Sequence, residues 1–106
     1  MTIDERVKKI VQMLDDKKAN EIEVLDLSGA DYISDRVIIA NSLNGKHTIA
    51  LFEYLKKDLR GKEEFLASDT TDEWSVADLG DILIHIMIPA YREKYTIEKF
   101  LKELMK

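Results

Sequence analysis

The chain has 106 residues, of which 45% are hydrophobic and 35% charged, and its formal net charge is -5. These values are typical of one soluble globular domain and exclude a disordered or membrane-spanning chain. The lack of cysteine excludes disulfides, thiolate metal sites and a cysteine nucleophile. The 16 basic residues are scattered among 21 acidic ones, which argues against strong direct nucleic-acid binding. With no apolar signal segment, we expect a cytoplasmic protein without a membrane partner.

The chain begins with a helical pattern. Thr2 and Glu5 have the spacing of a capping box, in which each residue satisfies a backbone or side-chain group of the other. From Ile3 onward, apolar residues recur every three or four positions along one stripe. These features predict a first helix over residues 3–18.

Two strands and a second helix follow. Runs of Val, Ile and Leu bounded by turn residues predict strands over residues 22–28 and 35–42. Asn44 or Ser42 can cap a helix over residues 45–60. The core-facing positions of that helix are expected to be Ile49, Phe52, Leu55 and Leu59.

The last part of the chain is read as three strands and a helix. A weaker strand is predicted over residues 63–68, and a β-hairpin joins strands 74–78 and 81–88. Pro89 is taken to end the last strand, because proline cannot donate to a sheet ladder. Thr96 is expected to cap a final helix. The inward residues of this helix are predicted to be Ile97, Phe100, Leu101 and Leu104.

The order of these elements predicts a single α/β domain, with a mixed sheet of about five strands packed with three helices. The hairpin turn is assigned to residues 79–80, because glycine at the second position of a two-residue connection permits a positive φ. That turn would place Asp78 opposite Asp81 and Trp74 opposite His85.

Side chains alternate along a strand, so the hairpin has two unlike faces. The first is apolar and is expected to lie beneath the helices: it carries Ser75, Ala77, Ile82, Ile84, Ile86 and Ile88. The second is too mixed for a good core and is interpreted as a binding surface: it carries Trp74, Val76, Asp78, Asp81, Leu83, His85 and Met87.

Structural interpretations of this second face stay open beside the functional one. His85 can simply pack its ring against Trp74 with one nitrogen bonded. Asp78 and Asp81 can be turn residues that bond nearby N–H groups. Trp74 can be a core residue of a second layer instead of a partly exposed contact.

The sequence offers little catalytic chemistry. It contains no D-x-D carboxylate pair for metal-dependent nucleotidyl transfer and no glycine-rich phosphate loop. Its two histidines, His47 and His85, lie on different predicted elements. Ser42, His47 and Asp35 could be grouped as a Ser-His-Asp catalytic set, but any chain of this length contains residues that could be grouped in this way. We therefore expect no catalytic residues, no metal and no cofactor.

Several segments resemble one known family. These are "DKKANEIEVLDLS" (16–28), Asp35 followed by "VIIA" (37–40), the block W-x-x-x-DLGDILIHIM (74–87) and "PAYREKYTIE" (89–98). Together they are similar to the ribosomal silencing factor family, also called the Iojap family. The resemblance covers nearly the whole chain in order.

The resemblance implies a nucleotidyltransferase-like fold without transferase activity. It also implies binding to the large ribosomal subunit through its ribosomal protein number fourteen, where the factor sterically blocks joining of the small subunit. Translation would then fall when nutrients are scarce. Organellar relatives act in large-subunit assembly, and members are often homodimers when free.

The matching positions carried over from the family are Lys18, Asp26, Asp35, Trp74, Asp78, Gly80, Asp81, His85, Pro89, Arg92, Tyr95 and Glu98. We expect the partner-binding residues to be Trp74, Asp78, Asp81, His85, Met87, Arg92, Tyr95 and Asp35. Two alternatives remain open. One is a large-subunit assembly factor, and the other is a divergent nucleotide-binding enzyme using Asp26, Asp35 and Asp78.

Overall fold

A five-stranded mixed sheet with helices on both sides forms the fold of the computed structural model, which describes residues 1–105. In chain order the elements are α1 (Ile3–Asp16), β1 (Asn20–Asp26), β2 (Arg36–Asn41), α2 (Gly45–Leu59), β3 (Ala67–Asp69), β4 (Trp74–Asp78), β5 (Ile82–Met87), α3 (Pro89–Tyr95) and α4 (Ile97–Leu104). The strand order across the sheet is β1-β2-β5-β4-β3. Strands β2 and β5 are parallel, and the other neighbours are antiparallel. The predicted α/β class is confirmed.

The structure corrects the number of helices from three to four. Pro89 does not merely end a strand but occupies the first turn of α3. Proline is suited to that position because the first N–H groups of a helix have no partner within the helix. Thr96, in the left-handed conformation with φ 42°, separates α3 from α4. It makes no side-chain cap bond to α4, contrary to the prediction that it caps the last helix.

The third strand is also shifted. It was predicted over residues 63–68 but forms at Ala67–Asp69. The chain after α2 instead continues turning, because the Lys62 and Glu63 N–H groups both donate to the Leu59 carbonyl at 3.0 Å. Phe65 then packs against the core below α2.

The hairpin register differs from the predicted one by two residues. Trp74 pairs with Met87 and Val76 pairs with His85. Gly80 is the first central residue of the turn, with φ 92°, and not the second. A positive φ at that first position is what a type II′ hairpin turn requires. Because the shift is an even number of residues, the paired strand residues 74–78 and 82–87 keep their predicted faces.

The first face of the sheet is a closed core under α1 and α2. The buried residues on this side are Val7, Ile10, Leu14, Ala19, Ile38, Ala40, Leu51, Phe52, Leu55, Leu59, Ala77, Leu79, Ile82, Ile84 and Ile86. The apolar assignment of this hairpin face is therefore confirmed for the strand residues. Ile88 is half-buried and serves as the N-cap of α3.

The second face is covered over only part of its area. Helices α3 and α4 lie over β1, β2 and β5 and close a second core. Its buried members are Leu25, Leu27, Val37, Ile39, Leu83, Met87 and Leu101. The expectation that this face is a poor core is thus wrong for the part beneath these helices. Phe100 was predicted to face inward but is 60% exposed, since Leu101 takes the inward position on α4.

Candidate docking surface

Beyond the edge of α3, the second face of the sheet is half-buried along β4 and exposed along β3. We define the docking surface as the residues at or bordering this opening: Ala67, Asp69, Trp74, Val76, Asp78, His85, Tyr91 and Tyr95. Strand alternation and pairing put Asp69, Val76 and His85 in one row across it. A pocket of about 230 Å³ lies at the β3 side, lined by Ala67, Ser68, Asp69, Val76, Asp78 and Leu83.

Trp74 and His85 form the best-defined contact on this surface. The indole Nε1–H of Trp74 donates to Nδ1 of His85 at 3.0 Å, and the ring centroids are 5.9 Å apart. The two residues were expected to lie directly opposite each other, but they meet diagonally because Trp74 pairs with Met87. Since an indole N–H only donates, His85 must be neutral with its proton on Nε2. Burial lowers the pKa of His85 to about 4.

Two tyrosines of α3 extend the aromatic contact away from the sheet. The Tyr95 ring lies 5.4 Å from Trp74 and 5.4 Å from Tyr91. Trp74, Tyr95 and Tyr91 thus form an aromatic row. Tyr95 is 44% exposed, so this row reaches the surface. The Glu73 carboxylate beside Tyr91 raises the pKa of that phenol. Aromatic side chains grouped in this way supply large contact area at protein interfaces.

No sequence pattern pointed directly to Tyr91 as a residue of this surface. The four-residue spacing of Tyr91 and Tyr95 puts both on one side of a helix, but only if residues 89–95 are read as helical. Because Pro89 was read as a strand end, that spacing carried no weight. Glu73, next to Trp74 in the chain, was also not predicted to lie at this surface.

Asp78 and Asp81 are held by bonds within the chain. Asp78 Oδ1 accepts from the Gly80 N–H at 2.8 Å, which fixes the hairpin turn. Asp81 accepts two bonds from Arg6 of α1, at 2.6 and 2.9 Å, and these bonds lower its pKa. Arg6 also bonds Glu63 at 2.9 and 2.8 Å. Asp81 was predicted at the turn on the same face as Trp74, but its carboxylate ties the turn to α1 on the first side of the sheet.

Arg92 belongs to a separate cluster that holds α3 and α4 on the sheet. Its guanidinium donates to Asn41 Oδ1 at 3.1 Å and to Glu23 Oε2 at 3.3 Å, and to the Glu21 carbonyl. It lies 3.6 Å from a carboxylate oxygen of Glu98. With its side chain only 11% exposed, Arg92 is placed to fasten the helices more than to meet a partner.

The remaining predicted contact residues lie in different surroundings. Met87 is 0% exposed, so in this conformation it supports Trp74 from below and cannot touch a partner. Asp35 is exposed on the loop before β2. Its N–H donates to the Asp81 carbonyl at 3.0 Å, at the turn end of the hairpin and not in the aromatic row. Trp74, Asp78, His85 and Tyr95 are the predicted residues that the fold brings to one surface.

Among residues 1–105, no group of three or more His, Asp and Glu side chains is arranged to hold a metal ion. None of the helices described is both long and apolar enough to cross a membrane. Two carboxylates of the nucleotide-binding alternative are already bonded within the chain. Asp26 accepts from Ser28 and from Arg36, and Asp78 accepts from Gly80.

Comparison with known proteins identifies relatives over nearly the full chain. The family model described as "Ribosomal silencing factor during starvation" (RsfS) matches residues 1–105. The Ribosomal silencing factor RsfS of Chromobacterium violaceum is 31% identical over 92% of this chain and 83% of its own length. That of Haemophilus influenzae is 31% identical over 88% of this chain and 94% of its own length. A mouse protein, "Mitochondrial assembly of ribosomal large subunit protein 1", is 27% identical over 85% of this chain and 42% of its length.

Solved structures share the same architecture. A crystal structure of a Chromobacterium violaceum protein superimposes with a TM-score of 0.90 at 30% identity, covering 96% of this chain and 88% of that one. A crystal structure of a Bacillus halodurans protein gives a TM-score of 0.80 at 27% identity, covering 92% and 93%. With a family model that matches residues 1–105 and relatives above 30% identity, the chain belongs to the ribosomal silencing factor (RsfS) family.

Proposed function

We propose that this chain binds the large ribosomal subunit in the cytoplasm through the docking surface and sterically blocks joining of the small subunit. Its contact there would be ribosomal protein number fourteen, and the outcome would be lower translation when nutrients are scarce. Steric occlusion needs no catalytic residue, so the chain would act as a binding factor and not as an enzyme. Membership of the RsfS family supports this proposal.

The single observation that carries the placement is the half-open second face of the sheet. Helices α3 and α4 leave β3 exposed and the second-face residues of β4 only half-buried, and an aromatic row of Trp74, Tyr95 and Tyr91 borders this opening. Rigid aromatic anchors of this kind often dominate binding energy at interfaces. A surface with such anchors that is left open suits a macromolecular partner.

Charge on this surface favours a basic partner. Asp69 and Asp78 lie on the opening itself, and Glu73 stands beside Tyr91 at its border. His85 adds no positive charge near neutral pH, since burial lowers its pKa to about 4. The ammonium of Lys94, 5.3 Å from the Tyr95 ring centroid, is an opposing charge at the rim. Acidic groups around aromatic anchors complement a basic ribosomal protein and speed its association.

Replacement of Trp74 tests the placement. We expect Trp74→Ala to weaken binding to purified large subunits by about 2 kcal/mol, roughly 30-fold in Kd, as for a central aromatic anchor. Co-sedimentation over a range of protein concentrations measures this. Tyr54→Ala is the matched control, because Tyr54 is an aromatic residue 42% exposed on α2, on the other side of the sheet. Wild-type affinity of Trp74→Ala, or an equal loss in Tyr54→Ala, would contradict the placement.

Occlusion itself is tested in a joining assay. Large subunits are incubated with the protein before small subunits are added, and the joined fraction is read from sedimentation profiles. Wild-type protein should lower that fraction, and Trp74→Ala should lower it only at correspondingly higher concentration. Unimpaired joining on large subunits saturated with wild-type protein would exclude the steric mechanism while leaving the docking intact.

The second candidate function is assembly of the large subunit, which the name of the mouse relative favours. It would use the same docking surface on immature particles. Ribosome profiles of a deletion strain separate the two functions. Precursor particles accumulating during rapid growth would favour assembly, whereas excess joined ribosomes in starvation alone would favour silencing.

A further inference from the structure

Trp74 is fixed at two points, and the second point is His85. The Trp74 backbone N–H donates to Thr71 Oγ1 at 3.0 Å, which fixes the main chain at the start of β4. The indole Nε1–H donates to His85 Nδ1 at 3.0 Å. A half-buried indole N–H needs an acceptor, and within residues 1–105 His85 is the one it bonds.

His85 lies on a more rigid element than the ring it binds. It is on β5, which pairs with β2 on one side and β4 on the other, where His85 faces Ile39 and Val76. Trp74 instead begins β4, immediately after the β3–β4 turn. The imidazole is therefore a fixed acceptor, whereas without this bond only packing against neighbours such as Tyr95 would set the orientation of the indole.

We propose that His85 is a positioning residue, which acts on the partner only by holding the Trp74 ring against Tyr95 in the orientation that docks. This role rests on the proposed function, in which Trp74 contacts the large subunit. It requires an uncharged acceptor at the position of Nδ1. A donor at that point, such as a protonated imidazole, would face the indole N–H and turn the ring away.

Two variants of His85 test whether its hydrogen-bond acceptor or the size of its side chain matters for binding. Asparagine branches at Cγ as histidine does, so His85→Asn keeps an acceptor oxygen near the place of Nδ1. His85→Leu has a similar branch but no acceptor. We expect His85→Leu to raise the Kd for large subunits by about 10-fold, as expected for one lost hydrogen bond, and His85→Asn by about 2-fold or less.

The orientation of the indole can be read without the ribosome. The chain has 1 Trp, so its indole N–H gives one proton–nitrogen NMR signal. In His85→Leu this signal should move upfield and its hydrogen should exchange faster with solvent. In His85→Asn it should stay near the wild-type position. A purely structural loss would instead change the backbone amide spectrum of both variants.

A double-mutant cycle completes the test. Trp74→Phe keeps an aromatic ring but has no N–H, so adding His85→Leu to it should weaken binding no further. Equal weakening in His85→Asn and His85→Leu, or additive losses in the cycle, would overturn the positioning role and make the imidazole a direct contact. Wild-type affinity of His85→Leu would overturn it as well. Failure of the wild-type protein to bind large subunits would instead contradict the proposed function.

Discussion

The two faces of the sheet use the same strands but are closed to different extents. On the first face, α1 and α2 cover the sheet with a continuous apolar core. On the second, the short helices α3 and α4 close a smaller core and leave β4 half-buried and β3 exposed. The first face therefore stabilises the fold, while the second divides its residues between a smaller core and an exposed surface. One face of a sheet can thus be closed core at one strand and exposed surface at another.

Shortening one side chain on each face should show which face stabilises the fold and which face binds the partner. Ile84 is 0% exposed on the first face, so Ile84→Ala should lower the free energy of unfolding by about 3 kcal/mol. Val76 is half-buried on the open part of the second face, so Val76→Ala should cost less than about 1 kcal/mol. Urea unfolding measures both losses.

Binding measurements on the same pair should give the reverse order. Val76→Ala should weaken co-sedimentation with large subunits, and the folded fraction of Ile84→Ala should bind as wild type does. A destabilisation by Val76→Ala as large as that by Ile84→Ala would mean that the second face is a full core after all.

Lowering the pH should weaken the fold through His85. Burial lowers its pKa in the folded chain from an ordinary value of 6.5 to about 4. As pH falls from 6.5 toward 4, the unfolded chain takes up the proton and the folded chain does not. Stability is therefore complete above pH 6.5 and declines below it, by about 2 kcal/mol from about pH 7.5 to about pH 5.

Comparison with His85→Asn isolates this contribution. Both proteins carry the same carboxylates, so urea unfolding at the two pH values should show the wild type losing about 2 kcal/mol more than the variant. An equal loss in the two proteins would show that His85 is better solvated than its burial in the structure indicates.

The smallest effect is expected at Phe100 on α4. Because this side chain is 60% exposed, Phe100→Ser should change the free energy of unfolding by no more than about 0.5 kcal/mol. Leu101→Ala is the matched control on the same helix, since Leu101 is 3% exposed and its truncation should cost about 2 kcal/mol or more. Thermal unfolding would reveal a hidden apolar contact if the two variants lost equal stability.

The local elements were predictable where the sequence carries a local signal. Thr2 and Glu5 form the predicted capping box, with the Glu5 N–H donating to Thr2 Oγ1 at 3.2 Å. The strand residues of the hairpin were assigned to the correct faces although its register was not, because an even shift leaves strand alternation unchanged. The turn position was missed because Gly80 permits a positive φ at either central position, and the sequence alone does not choose between them.

The extent of the second core was not predictable from the hairpin. Leu83, His85 and Met87 are successive residues on one face of β5. From the sequence pattern alone, all three are expected to have the same environment. Helix α3 was missed because Pro89 ends a strand as readily as it begins a helix. Without α3, the tyrosines beside Trp74 could not be placed, and Arg92 could not be recognised as a residue that fastens the helices.

The family, the α/β class and the strand residues that share a face could all be read from the residues alone, because these depend on residue order and on the two-residue period of a strand. The tertiary structure decided which part of the second face is buried and which stays open. That outcome depends on where two short helices end above the sheet, on Arg92 holding them to Glu23 and Asn41, and on Asp81 turning toward Arg6. Contacts between residues distant in the chain set these positions, and no local pattern encodes them.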